Sequence, residues 1–563
     1  MSAQILTPTA VWGDFEIKEE KITSRTINEK RIKDVVITTL LIEGKKTATE
    51  SVQILARLAK NVQNEMGSAV ILLEGATTPY DEKVVYDLAK SGYLVLDVDL
   101  TGKTESKTEY TIYPQELSCA DYEIAKQDLL CASEGVKKTC WYEWGVSLRY
   151  AVKYLRSIGG VLKVGAIGIN ESATPLWHLI ATDEVIDCAV MIGNAGWGLY
   201  KNDFKWSGEV DRQYSEDNDL KVLAGIEPQA YAKNVNCPTL MLSPTNSGEY
   251  DVDRAFDTVE RIDEKYYSAV DYSVGYDKGV DYESYINLKE FLARNLAVGV
   301  KKGRLPKVPE IKAELKEGKF EIEVSIDKVK KEGEGIKQVM VYCAEGTVDP
   351  KYRCWVKLDC EERGGKYYCD YSPYHKSKLI TLFAKAVYQT GYSVSSSVIC
   401  KKFSSEQVKE MPKSTVIYSG RRKNSESVFA GITDKVFDID GIGRVIVKNG
   451  PMEIEGTRAE KGLITFKVNA EKDKPKDDAI LLVDLFVRED TEVSISLIAD
   501  YFGEKTEYSA SVKLSGGKVW HNVMLERLRF KSAEGRTLKD YSTINAIVFK
   551  SEGKYLINNA LWV

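Results

Sequence analysis

The sequence predicts three domains, in which an α/β domain with a doubly wound, mostly parallel sheet is followed by two β-sandwiches. Up to about residue 300, short apolar runs alternate with helical patterns, as in a parallel sheet with crossover helices. A stretch rich in glycine, lysine and proline, Val298–Pro309, ends that alternation. Period-2 apolar patterns with turn signals then continue to the end, which indicates all-β domains.

The first domain is predicted to span residues 1–300. Its strands are predicted from runs of apolar and β-branched residues at Asp34–Ile42, Ala69–Leu73, Tyr93–Val98, Leu162–Ile167, Val185–Ile192, Thr239–Leu242 and Ala269–Ser273. Its helices are predicted from apolar residues at helical spacing in Asp81–Lys90, Trp144–Ile158, Ser172–Ala181, Val252–Ile262 and Tyr282–Leu296.

Two β domains are predicted after the first linker. Residues 306–402 contain six short strand patterns and favour a small immunoglobulin- or fibronectin-like sandwich. A polar, basic stretch, Lys402–Asn424, forms the second boundary. Residues 425–563 contain longer strands and have the size of a jelly-roll sandwich.

Composition excludes several classes of function. The 563 residues include 78 Lys+Arg against 84 Asp+Glu, so the net charge of -6 gives no general basic field for nucleic acid. We find no run of about 20 apolar residues and therefore expect no membrane span. The first twenty residues lack an export-signal pattern, so we expect a cytoplasmic protein whose ten cysteines are reduced. No cofactor and no metal is predicted.

One motif in the first domain suggests a family. The segment Val161–Ala173, VLKVGAIGINESA, is a buried strand that breaks at Gly168 and passes directly into a helix. Together with the upstream segment Ile71–Gly102, it resembles an α/β-hydrolase, closest in style to the dienelactone hydrolase and acyl-esterase branch. The turn corresponds to the nucleophile elbow, whose catalytic residue is at the centre of Gly-x-Ser-x-Gly. The resemblance places the oxyanion-hole loop at Glu74, Gly75 and Ala76.

The elbow departs from the family pattern in its chemistry. Asn170 occupies the nucleophile position, and a carboxamide is too weak a nucleophile to form an acyl intermediate. Glu171 brings a negative charge to the place where an oxyanion would need stabilisation, and Ser172 replaces the last glycine. These residues are therefore predicted to be vestigial or ligand-binding.

The other two triad positions are a second test. The resemblance places the histidine in the loop after the last strand, Val274–Asp281, which contains none. His178 is on the helix leaving the elbow, about 12 Å along its axis from Asn170, and His375 and His521 belong to the β domains. The acid position follows the strand Thr239–Leu242, where candidates are Glu249, Asp251 and Asp253.

Two further features have both a binding and a structural interpretation. The rings of Trp141, Tyr142 and Trp144 are candidates to line a sugar or acyl site, or to pack a long excursion, Thr101–Lys138, onto the core. The C-terminal segment up to Val563 resembles the last strands of jelly-roll carbohydrate-binding modules. That resemblance implies sugar binding or an accessory structural role.

The preferred function is that of a catalytically degenerate α/β-hydrolase-fold protein with a binding or scaffolding role. A small molecule or a carbohydrate is the predicted ligand, nucleic acid and membranes are not expected, and homo-oligomers remain open. One alternative is an active esterase with an unusual constellation of Glu143, Glu171 or Asp251 around a water. A second alternative is a structural protein that associates with itself.

Overall fold

The fold was analysed in a computed structural model that describes residues 4–63, 67–78, 80–201, 203–208, 216–248, 250–275, 279–299, 305–327, 335–420 and 428–563. Its helices are α1 (Pro8–Trp12), α2 (Glu82–Lys90), α3 (Tyr122–Ala125), α4 (Cys140–Ser157), α5 (Ala173–Thr182), α6 (Asp217–Gly225), α7 (Pro228–Tyr231), α8 (Val252–Val259) and α9 (Tyr282–Asn295). None of these helices is long and apolar enough to span a bilayer, over the ranges just given.

In the described part of the first domain the sheet has nine strands. These are β1 (Ser24–Ile32), β2 (Val35–Lys46), β3 (Ser51–Asn61), β4 (Ser68–Leu73), β5 (Leu94–Val98), β6 (Lys163–Ile169), β7 (Cys188–Ile192), β8 (Thr239–Pro244) and β9 (Ser268–Ser273). Their order in the sheet is β1-β2-β3-β5-β4-β6-β7-β8-β9, and all pairs from β5 to β9 are parallel. The carboxyl ends of β4 to β9 therefore meet at one edge, where open α/β sheets usually place ligands.

Helices cover both faces of this sheet, as predicted for a doubly wound fold. One core contains Ile71 of β4 with Trp144 of α4 and Leu176 of α5. The opposite core contains Val70 of β4 with Leu88 of α2 and Phe291 of α9. Consecutive residues of β4 thus point into different cores, because side chains alternate along a strand.

The middle region contains two sheets, one of which continues the sheet of the first domain. Its strands are β10 (Glu310–Lys316), β11 (Lys319–Ser325), β12 (Ile336–Glu345), β13 (Val356–Asp359), β14 (Glu361–Arg363), β15 (Lys366–Tyr371), β16 (Leu379–Tyr388), β17 (Ser393–Ser395) and β18 (Ile399–Lys402). β17 pairs with β9 through Ser395 and Val270, so that β17, β16, β12 and β13, with β18 beside β16, extend the first sheet to 14 strands over the described residues. The second sheet has the order β10-β11-β15-β14.

The C-terminal region is a pair of antiparallel sheets. Its strands are β19 (Val416–Ser419), β20 (Ala430–Gly431), β21 (Ile446–Asn449), β22 (Glu455–Arg458), β23 (Leu463–Thr465), β24 (Leu481–Val487), β25 (Thr491–Ala499), β26 (Thr506–Leu514), β27 (His521–Leu525), β28 (Ile544–Ser551) and β29 (Tyr555–Trp562). One sheet has the order β21-β22-β29-β24-β27 with β19 beside β29, and the other has the order β20-β23-β28-β25-β26. Both contribute to a single core that includes Val483 and Ile495.

Candidate functional site

The predicted elbow is a tight turn between β6 and α5. Asn170 has a φ of +49°, a left-handed conformation that asparagine tolerates better than most residues. A Cβ at Gly168 would lie 2.8 Å from Cα of Ala173, so this close approach of strand and helix requires glycine. Asn170 is buried, and its Oδ1 makes no hydrogen bond within the described residues. The turn therefore has the tight, left-handed geometry expected of the predicted elbow, and the residue at its centre is a carboxamide.

The neighbouring carboxylate reaches the predicted oxyanion loop. Oε2 of Glu171 accepts a hydrogen bond from the backbone nitrogen of Ala76 at 3.0 Å. A Cβ built on Gly75 would lie 3.4 Å from the same oxygen. A carboxylate of the protein thus occupies the space in front of this N–H. An oxyanion that developed there would have to compete with Glu171 for the hydrogen bond and would be repelled by its negative charge.

Ser172 has a structural hydrogen bond. Its buried hydroxyl donates to the carbonyl oxygen of Glu74 at 2.5 Å. This bond joins the elbow to the end of β4, so the oxyanion loop is tied to the helix start from two sides, by Ser172 and by Glu171.

The side chain of Glu74 belongs to a buried network of ions. It lies 2.7 Å from Arg57 and 3.4 Å from Lys107. Arg57 also contacts Asp97 at 3.2 Å, and Lys107 contacts Asp99 at 2.7 Å. Burial and the charge of Glu74 raise the pKa of Asp97 well above its usual value. Glu74 is thus a structural ion-pair partner at the carboxyl edge of the sheet.

The acid position is also engaged. Asp251 begins α8 by accepting a hydrogen bond from the backbone nitrogen of Asp253 at 2.9 Å, and it lies 3.2 Å from Arg254. Burial, with the nearby charge of Asp253, raises the pKa of Asp251 to about 6. Glu249, the other predicted carboxylate, lies outside the described residues.

A cation from the middle region neutralises the third carboxylate. Arg353 binds Asp253 through two hydrogen bonds of 2.5 and 2.6 Å, and both side chains are fully buried. Asn246, just after β8, donates to the carbonyl oxygens of Lys351 and Arg353, each at 2.8 Å. The segment around Arg353 therefore lies directly against the acid position of the first domain.

The C-terminal region pairs with the described end of the loop in which the resemblance places the histidine. The backbone nitrogen of Val280 donates to the carbonyl oxygen of Val436 at 2.7 Å, and that of Asp438 donates back to Val280 at 3.3 Å. A Cβ at Gly279 would lie 2.3 Å from the same oxygen of Val436. This close backbone pairing fixes the described end of the loop against the C-terminal region.

The three histidines have partners elsewhere. His178 is buried, donates from Nε2 to the carbonyl oxygen of Ile226 at 2.7 Å and stacks on Tyr231. Burial lowers the pKa of His178 to about 3. His375 accepts a hydrogen bond from the backbone of Met411, and His521 bonds to the carbonyl oxygen of Ser515.

The predicted cleft aromatics have packing partners. The buried indoles of Trp141 and Trp144 meet edge to face and donate to the carbonyl oxygens of Leu129 and Ala120, at 2.7 and 2.8 Å. Both acceptors belong to the excursion between β5 and α4, so these two rings anchor that segment to the core. Tyr142 stacks on Trp12, with ring centres 4.8 Å apart.

The residues of the alternative hydrolytic constellation are engaged separately. Glu143 pairs with Lys45 at 2.6 Å, and burial raises its pKa. Glu171 is bonded to Ala76 and Asp251 to Arg254. Within the ranges that the structure describes, no group of three His, Cys, Asp or Glu side chains is arranged to hold a metal ion.

Sequence reasoning missed Arg353 and Arg57. Arg353 is 100 residues from Asp253 and in a different region of the chain, so no spacing pattern could connect them. Arg57 and Asp97, by contrast, are single charges within the apolar runs ILARLA and LVLDV. A lone charge in a strand of that kind is a signal of buried pairing, because an unpaired ion would be too costly there.

Comparisons with known proteins find a likeness only among solved structures. No family model matches, and no curated protein matches. The acetyl xylan esterase from Paenibacillus sp. R4 is similar over 51% of this chain and 91% of its own, with 11% identity and a TM-score of 0.37. Acetyl xylan esterase 1 from Thermoanaerobacterium sp. JW/SL YS485 covers 46% of this chain and 82% of its own, with 13% identity and a TM-score of 0.32. The Pyrococcus horikoshii acylaminoacyl peptidase covers 48% and 50%, with 13% identity and a TM-score of 0.34. Nothing about activity or substrate follows from likenesses this low.

Proposed function

We propose that this chain is a catalytically degenerate protein of the α/β-hydrolase fold that acts in binding or scaffolding. The hydrogen bond between Glu171 and Ala76 carries the proposal. Ester hydrolysis needs N–H groups that are free to stabilise an oxyanion as charge develops. Here one such group of the predicted oxyanion loop is bonded to a carboxylate that the elbow itself supplies.

The remaining triad positions support the same conclusion. Asn170 has no acidic proton to lose to a base, and the described histidines are bonded elsewhere. The acid position is neutralised by Arg353. The predicted nucleophile, histidine and acid positions all lack a functional catalytic group. A single substitution would not account for this, whereas a protein that no longer performs acyl transfer would.

The covering of the former site favours a scaffolding role for the fold. Segments of the middle and C-terminal regions lie on the acid and histidine loops, through Arg353 and Val436 respectively. The edge of the sheet that would admit substrate therefore serves as a docking surface for the other regions of the same chain. A small-molecule or carbohydrate ligand remains part of this proposal, as does a cytoplasmic location.

The decisive experiment measures acyl-ester turnover and covalent labelling by the intact protein. We expect no hydrolysis of p-nitrophenyl acetate above the heat-denatured control and no labelling by a fluorophosphonate probe, since both need an activated hydroxyl. A serine esterase labelled in parallel controls for the reagents. Saturable turnover, or stoichiometric labelling of a serine in the first domain, would overturn the proposal. The self-association alternative has a separate test, light scattering across a range of protein concentrations.

A further inference from the structure

A cavity of about 170 Å³ lies between the middle and C-terminal regions. The middle region contributes Glu345, Val356 and Tyr371 to its wall, and the C-terminal region contributes Val416, Lys467 and Asp473. The cavity is large enough to hold several ordered waters. It is distant in sequence from the elbow and shares none of its residues.

Four charged side chains converge on this cavity. Nζ of Lys472 lies 3.5 Å from Glu345, and Nζ of Lys467 lies 3.8 Å from Asp473. The exposed fraction of the side chain is 28% for Lys472, 7% for Glu345, 16% for Lys467 and 9% for Asp473. Removing four charges from water is costly, and well-packed apolar residues would join two domains at least as firmly. The lining therefore has features that packing alone does not explain.

Two of these charges are held in place by hydrogen bonds from the protein. Glu345 accepts hydrogen bonds from the hydroxyl of Tyr371 at 3.0 Å and from the backbone nitrogen of Tyr374 at 2.8 Å. Lys467 donates to the carbonyl oxygens of Val416 and Ile417, both at 3.0 Å. Within the described residues, Lys472 forms an ion pair with Glu345, and its ammonium group has three donors.

Asp473 has one oxygen that accepts no hydrogen bond from the described residues, although the hydroxyl of Ser414 and Nζ of Lys467 lie beside its carboxylate. Its Oδ1 is buried and makes no hydrogen bond within the described part of the chain. The 3.8 Å separation from Lys467 is too long for a hydrogen bond. Burial raises the pKa of Asp473 to about 6, against the opposing effect of Lys467 and Lys472. A buried acceptor without a donor is the strongest indication that something else binds here.

We propose that this cavity binds a neutral, hydroxyl-rich molecule the size of a single sugar ring. One ligand hydroxyl would donate to Oδ1 of Asp473, and another oxygen would accept from Nζ of Lys472. The two carboxylates and two ammonium groups of the lining sum to no net charge, which disfavours a simple anion or cation. Val356 and Val416 supply the apolar surface against which the C–H face of a sugar ring can pack.

This inference gives a place to the carbohydrate ligand of the proposed function, but it does not depend on the loss of catalysis at the elbow. A degenerate hydrolase and an active one could equally carry a sugar site between their β regions. Ester turnover tests the elbow, whereas sugar binding tests the cavity, so failure of either proposal leaves the other standing.

The test is to titrate the full chain with each of a panel of neutral monosaccharides and to measure binding by calorimetry and by saturation-transfer NMR. The panel contains xylose, glucose, galactose, mannose and N-acetylglucosamine. We expect at least one to bind saturably at about pH 8, where Asp473 is ionised, and about tenfold or more weakly in Asp473→Ala, which lacks the charged acceptor. Lys472→Met should also weaken binding. The matched control Asp478→Asn, at an exposed carboxylate nearby, should bind as the parent does.

The pH dependence adds an independent readout. Lowering the pH to about 5 should weaken binding, because protonation removes the charge of Asp473. The groups that face it are Lys467, Lys472, Glu345 and Ser414. Absence of binding by every sugar in the millimolar range, or equal affinity in a folded Asp473→Ala and its parent, would overturn the proposal. Preferential binding of a charged amino acid would also overturn it.

Discussion

Oε2 of Glu171 lies 3.0 Å from the backbone nitrogen of Ala76, and this hydrogen bond joins the residue after the elbow to the loop after β4. In an acyl-transfer enzyme, the corresponding N–H points at the oxygen of the substrate. Here the bond instead closes the elbow onto the loop, and Ser172 does the same from its other side. The hydrogen bonds of Glu171 and Ser172 together form a local structural clasp between the turn and the loop after β4.

Restoring a serine should not restore hydrolysis. In the double variant Asn170→Ser, Glu171→Gly the hydroxyl is present and the carboxylate is removed, but no histidine is available to accept the proton. Because triad members act as a unit, we expect ester turnover to stay at background. The assay is p-nitrophenyl acetate hydrolysis, with Asn170→Ser alone as the control. A rise of about two orders of magnitude or more would mean that a base we have not identified reaches the elbow.

The clasp itself should contribute to stability. Glu171→Ala leaves the N–H of Ala76 without its acceptor, and we expect the free energy of unfolding in urea to fall by about 1–2 kcal/mol. Glu171→Gln keeps an acceptor oxygen and should lose less. The matched control is Glu184→Gln, at an exposed glutamate just after α5. If Glu171→Ala and the control have the same free energy of unfolding, this hydrogen bond does not contribute to the stability of the protein.

The buried pair of Asp253 and Arg353 should be costly to break from either side. Asp253→Leu or Arg353→Met leaves one buried ion without its partner, and each should lower the free energy of unfolding by about 3–5 kcal/mol. The double variant Asp253→Leu, Arg353→Met removes both charges and should recover much of that loss. Calorimetry of all variants gives a double-mutant cycle. Simple additivity would contradict a direct pairing.

Acid should destabilise the first domain partly through His178. Its pKa is about 3 when folded, against an ordinary value near 6.5, so the unfolded chain binds the extra proton between these values. The contribution of neutral His178 to the stability of the folded protein is therefore complete above about pH 6.5. As the pH falls toward 3, this contribution is lost, and the free energy of unfolding decreases by up to about 4–5 kcal/mol. His178→Phe should flatten this part of the stability profile, even if its stability at pH 7 is lower. His521→Gln should leave the profile unchanged, and an unaltered slope in His178→Phe would refute the assignment.

Most elements of the first domain could be predicted from apolar periodicity, and the exceptions have physical reasons. The predicted helix Tyr282–Leu296 is observed as Tyr282–Asn295, and the predicted strand Ala69–Leu73 as Ser68–Leu73. β1 was not predicted because nearly all of its side chains are exposed, so its sequence shows no apolar alternation. β3 was not predicted because Arg57, which is buried by pairing, interrupts its apolar run.

The candidate site was predictable only in part. The elbow turn and its Asn170 follow from a local motif, since a strand that breaks at Gly168 and enters a helix is visible in thirteen residues. The contacts of Arg353 and Val436 arise from the docking of distant regions, which depends on tertiary structure and leaves no periodic trace. The sheet shared by the first and middle regions was unexpected for the same reason, as β17 joins β9 through one residue pair.

The sheet shared by the first and middle regions has a consequence for the first domain when it is separated from the rest of the chain. β9 would otherwise be an open edge whose free N–H and C=O groups could template strand addition by another molecule. In the intact chain Ser395 covers that edge, both by pairing with Val270 and by accepting the backbone N–H of Tyr272 at its hydroxyl oxygen. The middle region thus protects this edge from pairing with other molecules. We therefore expect the first domain to aggregate when it is expressed without the middle region.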